Sequence, residues 1–163
     1  FNHVLDKLIA VPNGSLFRWS MYNIGTVLVF GDDLEATVGY RKASWQAGIT
    51  ARYSFQRAFD PSGPWQIPYI PLHSGSFNLF GAWGPLRADI RGQVTGVRYT
   101  AASSRPEAYL RPFSTWDITL SWKPLRGLRL AVELRNLTGT RYEIVKQYPM
   151  PGFHVMGSVS FEL

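Results

Sequence analysis

The chain has 163 residues, of which 45% are hydrophobic, 15% aromatic and 17% charged, with a net charge of +6 and no cysteine. No apolar run approaches the ~20 residues that a membrane helix needs, and without cysteine there is neither a disulfide framework nor a thiolate metal site. The Lys and Arg residues are scattered and often lie near acidic residues, so they do not form the basic stripe that indicates nucleic-acid binding.

Apolar and polar residues alternate along most of the chain, which is typical of β-strands with one apolar and one polar face. About eight strands are predicted, over residues 1–11, 24–40, 45–56, 76–83, 87–95, 115–122, 128–135 and 153–163. The loop that begins at Pro12 is expected to run through Trp19, Tyr22 and Asn23. Gly31 is expected to mark a bulge or bend in the second strand.

Long and short connections alternate between the predicted strands. The short ones are residues 41–44, 84–85 and 123–127, whereas residues 57–74 and 101–112 form long loops. Bacterial membrane barrels have short periplasmic turns and longer extracellular loops. The alternation therefore predicts a membrane barrel with its C-terminus on the periplasmic side.

Aromatic residues mark both ends of the predicted strands, as the two aromatic girdles of a membrane barrel do. The sets are Trp45, Trp83 and Trp122 beside the short turns, and Phe55, Phe77, Phe113 and Trp116 near the other ends. A soluble β-sandwich with these aromatics in its core is the alternative. Its outer face would carry many Lys and Glu residues, whereas the polar faces here carry Ser, Thr, Gln and paired Arg and Asp.

The last predicted strand, residues 153–163, has a continuous apolar face. Its members are Phe153, Val155, Gly157, Val159, Phe161 and Leu163. The strand is about as long as a tilted strand must be to cross a bilayer, and it ends on an apolar residue. These features are typical of the strand that closes an outer-membrane barrel.

Three motifs carry a family resemblance. Residues 135–142 (RNLTGTRY) and 148–152 (YPMPG) resemble the final hairpin of TonB-dependent outer-membrane receptors. Residues 23–25 with 31–35 resemble an internal strand of that family, and residues 66–73 (QIPYIPLH) resemble a loop exit. The motifs stand in family order and span nearly the whole chain. Two positions depart from the family pattern, since Asp33 replaces a Glu and Leu163 replaces a terminal Phe.

The resemblance implies an all-β fold, a transmembrane antiparallel β-barrel in which these strands form the C-terminal part of a 22-stranded barrel. Residues 1–163 are then expected to be the last third or so of a longer receptor, whose plug domain and earlier strands lie outside this chain. A self-contained eight-stranded barrel is the alternative. Its interior would be poorly filled by small inward residues such as Gly39 and Ser54. An open piece would leave two unpaired edges in lipid.

Eleven charged residues share the predicted polar face, which would line the barrel lumen. They are Asp33, Glu35, Arg52, Arg87, Asp89, Arg91, Asp117, Arg129, Glu133, Arg135 and Glu162. Positive and negative residues occur on neighbouring strands. One interpretation is that this face is a water-exposed wall of the lumen, whose charges pair with each other. The other, which the resemblance supplies, is that some of them hold a plug domain in the lumen.

The predicted long loops and the start of the last strand carry aromatic and basic residues that suit a bulky, partly anionic ligand. These candidates are Trp19, Tyr22, Trp65, Tyr69, Arg105, Tyr109, Arg111, Tyr148 and His154. The alternative for each is a role in packing the loops together or in facing lipopolysaccharide.

An outer-membrane enzyme is a less favoured function, because a serine and a histidine on adjacent strands would be needed. His154 has Ser158 and Ser160 on its own strand, too far away for a hydrogen bond, and no triad partner can be placed for His73. No two histidines have ligand spacing. No catalytic residue, metal or cofactor is therefore expected.

The resemblance implies TonB-coupled import of a scarce nutrient, namely an iron-siderophore, haem or a corrinoid, across the outer membrane of a Gram-negative bacterium. A passive porin is the alternative. The implied partners are outer-membrane lipid and lipopolysaccharide, the plug domain and remaining strands, and the TonB complex through the missing N-terminal part. The barrel-assembly machinery is expected to read the closing strand through Val159, Phe161 and Leu163.

Overall fold

A computed structural model describes residues 2–4, 8–12, 19–23, 25–61, 66–100 and 109–161. All regular structure in these residues is β-strand. The strands are β1 (Asn2–Val4), β2 (Leu8–Pro12), β3 (Trp19–Asn23), β4 (Val27–Lys42), β5 (Trp45–Phe59), β6 (His73–Trp83), β7 (Leu86–Thr95), β8 (Arg98–Tyr99), β9 (Tyr109–Leu110), β10 (Phe113–Leu125), β11 (Leu128–Arg135), β12 (Glu143–Val145), β13 (Tyr148–Pro149) and β14 (His154–Phe161).

Eight of the strands form one antiparallel sheet in the order β1-β4-β5-β6-β7-β10-β11-β14. The other six form three two-stranded hairpins, β2-β3, β8-β9 and β12-β13, inside the long connections. Within the described residues β1 pairs with β4 and β14 pairs with β11, while β1 and β14 do not pair with each other. The predicted set of about eight antiparallel strands is thus confirmed, as an open sheet.

The pairing register places like residues in rows that run across the sheet. One row aligns Val38, Ile49, Leu79, Ile90, Ile118, Leu134 and Val155. A row on the opposite face aligns Glu35, Arg52, Ser76, Gln93 and Thr115. Because directly opposed residues lie on the same face, the sheet has a continuous apolar face and a continuous polar face.

The apolar face is exposed rather than packed against a second layer. Val38 is 68% exposed and Val159 73% exposed, whereas the buried hydrophobic residues of the described chain are Val27, Ala58, Ile67 and Leu110. An exposed apolar patch of this extent marks an interaction or membrane surface. No helix in the described part of the chain is long and apolar enough to cross a membrane.

The aromatic residues lie in rows at the two ends of the apolar face. At the end with the short turns, the Trp45 and Trp83 rings stack with centroids 5.5 Å apart, and Trp122 belongs to the same row. Toward the other end, the Phe77 and Trp116 rings meet edge to face at 5.0 Å. Phe113 departs from the predicted girdle, because its register with Thr95 places it on the polar face.

The N-terminal region differs from the prediction. Residues 1–11 were expected to form one strand, but β1 and β2 are separate strands in separate sheets. Trp19, Tyr22 and Asn23 were expected in a loop, and they form β3, which pairs with β2 from Leu8↔Asn23 to Pro12↔Trp19. The long connection before β4 contains this hairpin, which the alternation pattern did not reveal.

Residues 66–72 cover the part of the β4–β5 hairpin that extends beyond β6. The Gln66 side chain accepts a hydrogen bond from the Ala58 backbone amide and donates one to the Gln56 carbonyl, both at 3.1 Å. The Ile67 amide donates to the Ala58 carbonyl at 2.7 Å, and Ile67 packs with Ala58 and Val27 in a small core. This motif therefore satisfies a strand edge that β6 leaves open.

Gly31 marks a close approach between strands and not a bulge. The β4–β5 register is unbroken from Leu28↔Phe59 to Lys42↔Trp45, so the predicted bulge is wrong. A Cβ atom at Gly31 would overlap the backbone carbonyl oxygen of Phe55. Only glycine fits this contact, because the overlapping atom belongs to the backbone and cannot rotate away.

The Gly31→Ala substitution is therefore expected to destabilise the sheet by at least the roughly 1–3 kcal/mol that overpacking costs. Gly81→Ala is the matched control, because a Cβ atom there meets no atom within 4 Å. Unfolding in denaturant, followed by tryptophan fluorescence, measures both. Equal stability of the two variants would contradict the close approach.

Candidate functional site

Ten of the eleven charged residues predicted on the polar face lie there in the pairing register, and Glu162 lies outside the described residues. Three pairs join within this wall. Glu35 and Arg52 lie opposite each other on β4 and β5, with the Arg52 Nε atom 2.9 Å from Oε2. Arg87 binds both carboxylate oxygens of Asp89 at 2.7 Å. Arg135 contacts Glu133 at 2.7 Å. Much of the wall is thus neutralised by its own partners.

Three charges of the same wall have no hydrogen bond or ion pair within the described residues: Asp33, Arg91 and Arg129. Arg91 is exposed on β7, and Arg129 is exposed at the start of β11. A cavity of about 490 Å³ lies between them, and Lys123 and the Arg87–Asp89 pair also line it. Since Asp89 is already bound by Arg87, the free charge of this region is positive.

Asn136 holds the two halves of the final-hairpin motif together. Its side chain donates to the carbonyls of Thr140 and Pro151 at 2.8 and 3.1 Å and accepts from the Thr140 amide at 2.9 Å. Its backbone amide donates to Asp117 Oδ1 at 2.8 Å. Asn136 is buried and has a φ of 48°, a left-handed conformation that Asn tolerates better than most residues. Asp117 therefore anchors a loop.

An aromatic cluster surrounds Arg98 at the long-loop end of the polar face. We call Tyr69, Arg98, Tyr99, Tyr109, Phe113 and Tyr142 the mouth cluster. The Phe113 and Tyr142 rings stack at 4.2 Å, and the Tyr99 and Tyr109 rings lie 4.7 Å apart. The Arg98 guanidinium lies 5.1 Å from the centre of the Phe113 ring. Three separate long connections meet in this cluster, which places it at the entrance of the polar face.

Arg98 ties these connections together through the backbone. It donates to the carbonyls of Glu143 and Ile144 at 2.8 and 3.2 Å, across 45 residues of chain. Only 3% of Arg98 is exposed, and its Nε–H has no partner in the described residues. A buried donor without an acceptor lowers the stability of the folded state, and buried polar groups are nearly always hydrogen-bonded.

Burial also changes the ionisation of Arg98 and Tyr69, two members of the mouth cluster that lie outside the eight strands of the sheet. Burial lowers the pKa of the Arg98 guanidinium, although the nearby Tyr69 opposes this shift. The pKa of the Tyr69 phenol is raised, because the effect of burial outweighs the opposing effect of a hydrogen bond with the Lys146 backbone. Tyr69 therefore stays neutral at physiological pH.

A cavity of about 420 Å³ opens beside the mouth cluster. Its walls include the Phe113–Tyr142 stack, Tyr109, and the exposed cations Arg111 and Arg141. Aromatic faces flanked by guanidinium groups suit flat, anionic ligands, because the rings stack and the cations pair with carboxylate or phenolate oxygens. The cavity can thus hold part of such a ligand.

The structure brings together only some of the predicted ligand-binding residues. Tyr69, Tyr109 and Arg111 belong to the mouth cluster or its cavity, while Tyr148 lies half-buried in the β12–β13 hairpin. His154 begins β14, and its Nδ1 atom donates to the Gly152 carbonyl at 2.8 Å. Trp19 and Tyr22 lie in β3, and Trp65 and Arg105 lie outside the described residues.

Sequence reasoning missed Arg98, Tyr99 and Tyr142 and assigned Phe113 to a girdle. The available signal for Phe113 was its odd-numbered position in the alternation of β10, which it shares with Thr115, Asp117 and Thr119. No pattern marked Arg98, because its role depends on a contact with a loop 45 residues away. In the described residues no group of His, Asp or Glu side chains is arranged to hold a metal ion.

Comparison with protein families and solved structures gives consistent matches. The model of one family, described as "TonB dependent receptor-like, beta-barrel", matches residues 2–137. Comparison with curated protein sequences gives no match.

Three solved structures resemble the chain at low identity. A copper transporter, OprC, matches with a TM-score of 0.71 and 17% identity over 98% of this chain and 27% of its own. The FrpB iron transporter of Neisseria meningitidis (F3-3 variant) matches with a TM-score of 0.62 and 19% identity, over 98% of this chain and 27% of its own. The ferric yersiniabactin uptake receptor FyuA of Yersinia pestis matches with a TM-score of 0.60 and 18% identity, over 86% of this chain and 23% of its own. The chain spans about a quarter of each structure, and these likenesses show the fold.

Proposed function

Because this chain belongs to the TonB-dependent receptor family, as a part of its β-barrel, we propose that it forms one arc of an outer-membrane receptor that imports a bulky, scarce nutrient with TonB energy coupling. The observation that carries the proposal is the family match over residues 2–137. The polar wall and the aromatic mouth cluster add to it. The family consists of transport receptors, which favours transport over the outer-membrane enzyme considered above.

The eight strands form the C-terminal arc of the barrel in this proposal. Two supports are the open sheet, with β1 and β14 at its edges, and the quarter of each related structure that the chain covers. Lipid offers no hydrogen bonds to unpaired strand edges. Both edges therefore pair with further polypeptide, and the short turns face the periplasm.

The unpaired charges of the wall contact a plug domain in the lumen. Arg91 and Arg129 would bind acidic or amide groups of the plug, because their guanidinium groups lack partners in the wall. The three paired sets, Glu35–Arg52, Arg87–Asp89 and Glu133–Arg135, instead keep the wall neutral where no plug contact is made.

The ligand class is a partly anionic metal chelate or macrocycle with flat, unsaturated parts, such as a ferric siderophore, haem or a corrinoid. Stacked aromatic rings and the cations Arg111 and Arg141 at the mouth cavity favour such chemistry. A group with an acceptor atom could also satisfy the free Nε–H of Arg98 if the mouth cluster rearranges.

Uptake of a radiolabelled ferric siderophore, haem or corrinoid by cells producing the full receptor tests this function. Uptake that stops when a protonophore collapses the proton-motive force supports the receptor. Steady ion conductance of the purified protein in a planar bilayer, with uptake unaffected by the protonophore, would instead support the passive porin.

Replacement of Tyr142 by Ala is expected to weaken ligand binding on the order of tenfold, the equivalent of one lost aromatic stack of about 1.4 kcal/mol. The loss arises because Tyr142 lines the cavity beside Phe113, and the proposed ligand would stack on its ring there. Tyr40→Ala is the matched control, since Tyr40 is an exposed aromatic residue on the apolar face. Binding to whole cells, titrated with labelled ligand, measures both variants. Equal affinities would place the ligand elsewhere.

A further inference from the structure

A groove of about 860 Å³ lies on the apolar face next to the short turns. It exists because one row of the register carries small residues: Gly81 pairs with Ala88, which pairs with Leu120, and Gly157 pairs with Val132 in the same row. A Cβ atom built at Gly81 or at Gly157 meets no atom within 4 Å. The floor of the groove is therefore open space that larger side chains could have filled.

The rim of the groove is aromatic and rigid. Trp45 and Trp83 stack at one side, and Trp122 stands in the same row further along the sheet. All three rings are about half exposed. Tryptophan at the end of a membrane-spanning strand favours the level of the lipid headgroups. The groove thus runs from that level toward the bilayer centre.

The turns beside the groove are uniformly cationic. Residues 40–46 and 122–130 contain Arg41, Lys42, Lys123, Arg126 and Arg129 and no Asp or Glu. Arg41, Lys123 and Arg129 belong to the polar face. Arg126 is exposed in the turn after β10, beside the groove residues Trp122 and Leu130, whereas Lys42, which pairs with Trp45, lies four strand spacings away, about 19 Å. Basic residues at a membrane surface attract anionic headgroups.

We propose that this groove binds one anionic phospholipid of the membrane leaflet at the short-turn end. An acyl chain lies on the small residues between the tryptophans, and the phosphate is held near Arg126. The inference rests on the membrane placement in the proposed function, but not on transport or on the identity of the ligand. A second copy of the chain fits less well, because a two-fold contact would bring the same cations together.

Native mass spectrometry of the full receptor, exchanged into nanodiscs that contain phosphatidylethanolamine with phosphatidylglycerol or cardiolipin, tests the proposal. The wild type is expected to retain phosphatidylglycerol or cardiolipin in preference to phosphatidylethanolamine. Gly81→Leu fills the groove and should lose the retained lipid, and Gly157→Leu should do the same from another strand. Replacing Arg126 by Gln should weaken retention on the order of fivefold.

Two controls match these variants. Val38→Leu adds bulk on the apolar face outside the groove, and Arg41→Gln removes a cation next to Lys42 on the polar face. Both should retain lipid as the wild type does. Thermal unfolding checks that each variant is folded before its bound lipid is measured. If either Gly81→Leu or Gly157→Leu misfolds, the remaining groove variant carries the test.

Three outcomes would overturn the proposal. They are equal retention in groove and control variants, equal retention of zwitterionic and anionic lipid, and a dimer that the groove variants dissociate without any bound lipid. Because retention is measured without nutrient uptake, a receptor that binds the lipid and fails to import would count against the proposed function alone.

Discussion

Deletion of Phe161–Leu163 is expected to abolish insertion of the receptor into the outer membrane. Phe161 pairs with Leu128 on the apolar face and is 66% exposed, so no other part of the described chain covers it. Leu163 lies outside the described residues. Val159, Phe161 and Leu163 form the terminal pattern by which, in this family, the barrel-assembly machinery is expected to recognise the closing strand.

The deletion is measured as the fraction of receptor that resists extraction from outer membranes and migrates as a folded species without heating. Replacing Ser158 and Ser160 by Ala is the control, because both belong to the polar face of the same strand, opposite Ala131 and Arg129. The control should insert normally. Normal insertion after the deletion would show that the machinery does not read these residues.

Ile118→Arg is expected to destabilise the folded receptor in a bilayer by roughly 2–4 kcal/mol, because a guanidinium on the lipid face near the midplane loses its hydration. Ile118 lies in the row of Ile49 and Ile90, between the two aromatic rows of the apolar face. It is four residues from Trp122 and two residues from Trp116, which contacts Phe77. Ile49→Arg, in the same row, should cost about as much.

Two comparisons make this prediction specific to face and depth. Thr119→Arg places the same group on the polar face, where Asp89 and Glu133 are its pairing neighbours, and should be tolerated. Val159→Arg lies in the tryptophan row and should cost only about 0–1 kcal/mol, since arginine near the interface stays hydrated. Unfolding by denaturant in vesicles measures all four variants. If Ile118→Arg left the free energy of unfolding unchanged while Thr119→Arg lowered it, the assignment of the lipid-facing and lumen-facing sides would be wrong.

The main sheet was predictable because apolar and polar residues alternate along its strands with a period of two. Alternation placed Ile49, Ile118 and Leu130 on one face and the wall charges on the other, and the register agrees at every one of them that the structure describes. The short turns also followed from the sequence, although β4 and β10 extend further into them than predicted. Local periodicity suffices wherever one face meets lipid and the other meets water.

The long connections were not predictable in the same way. The segments that form the β2–β3 hairpin show no strict alternation of apolar and polar residues, and Trp19 was therefore expected in a loop. Arg98 and Asn136 act through contacts across 45 and 15 residues, which no local pattern encodes. At Gly31 the sequence analysis expected a bulge or bend, and the close approach to the Phe55 backbone became visible only in the structure.

Cysteine cross-linking tests most directly the central claim that these eight strands are one arc of a larger transport barrel. The 163 residues contain no cysteine, so no native thiol within them competes with the introduced pairs. Replacing Ala131 and Ser158, which face each other on β11 and β14, gives a positive control that should form a disulfide in the membrane. The test pairs join His3 on β1 with Val155, Gly157 or Val159 on β14. We expect no intrachain disulfide in any of these pairs, because both edges bond to other polypeptide. A disulfide between β1 and β14, formed as completely as the control, would close the barrel at eight strands and contradict the account.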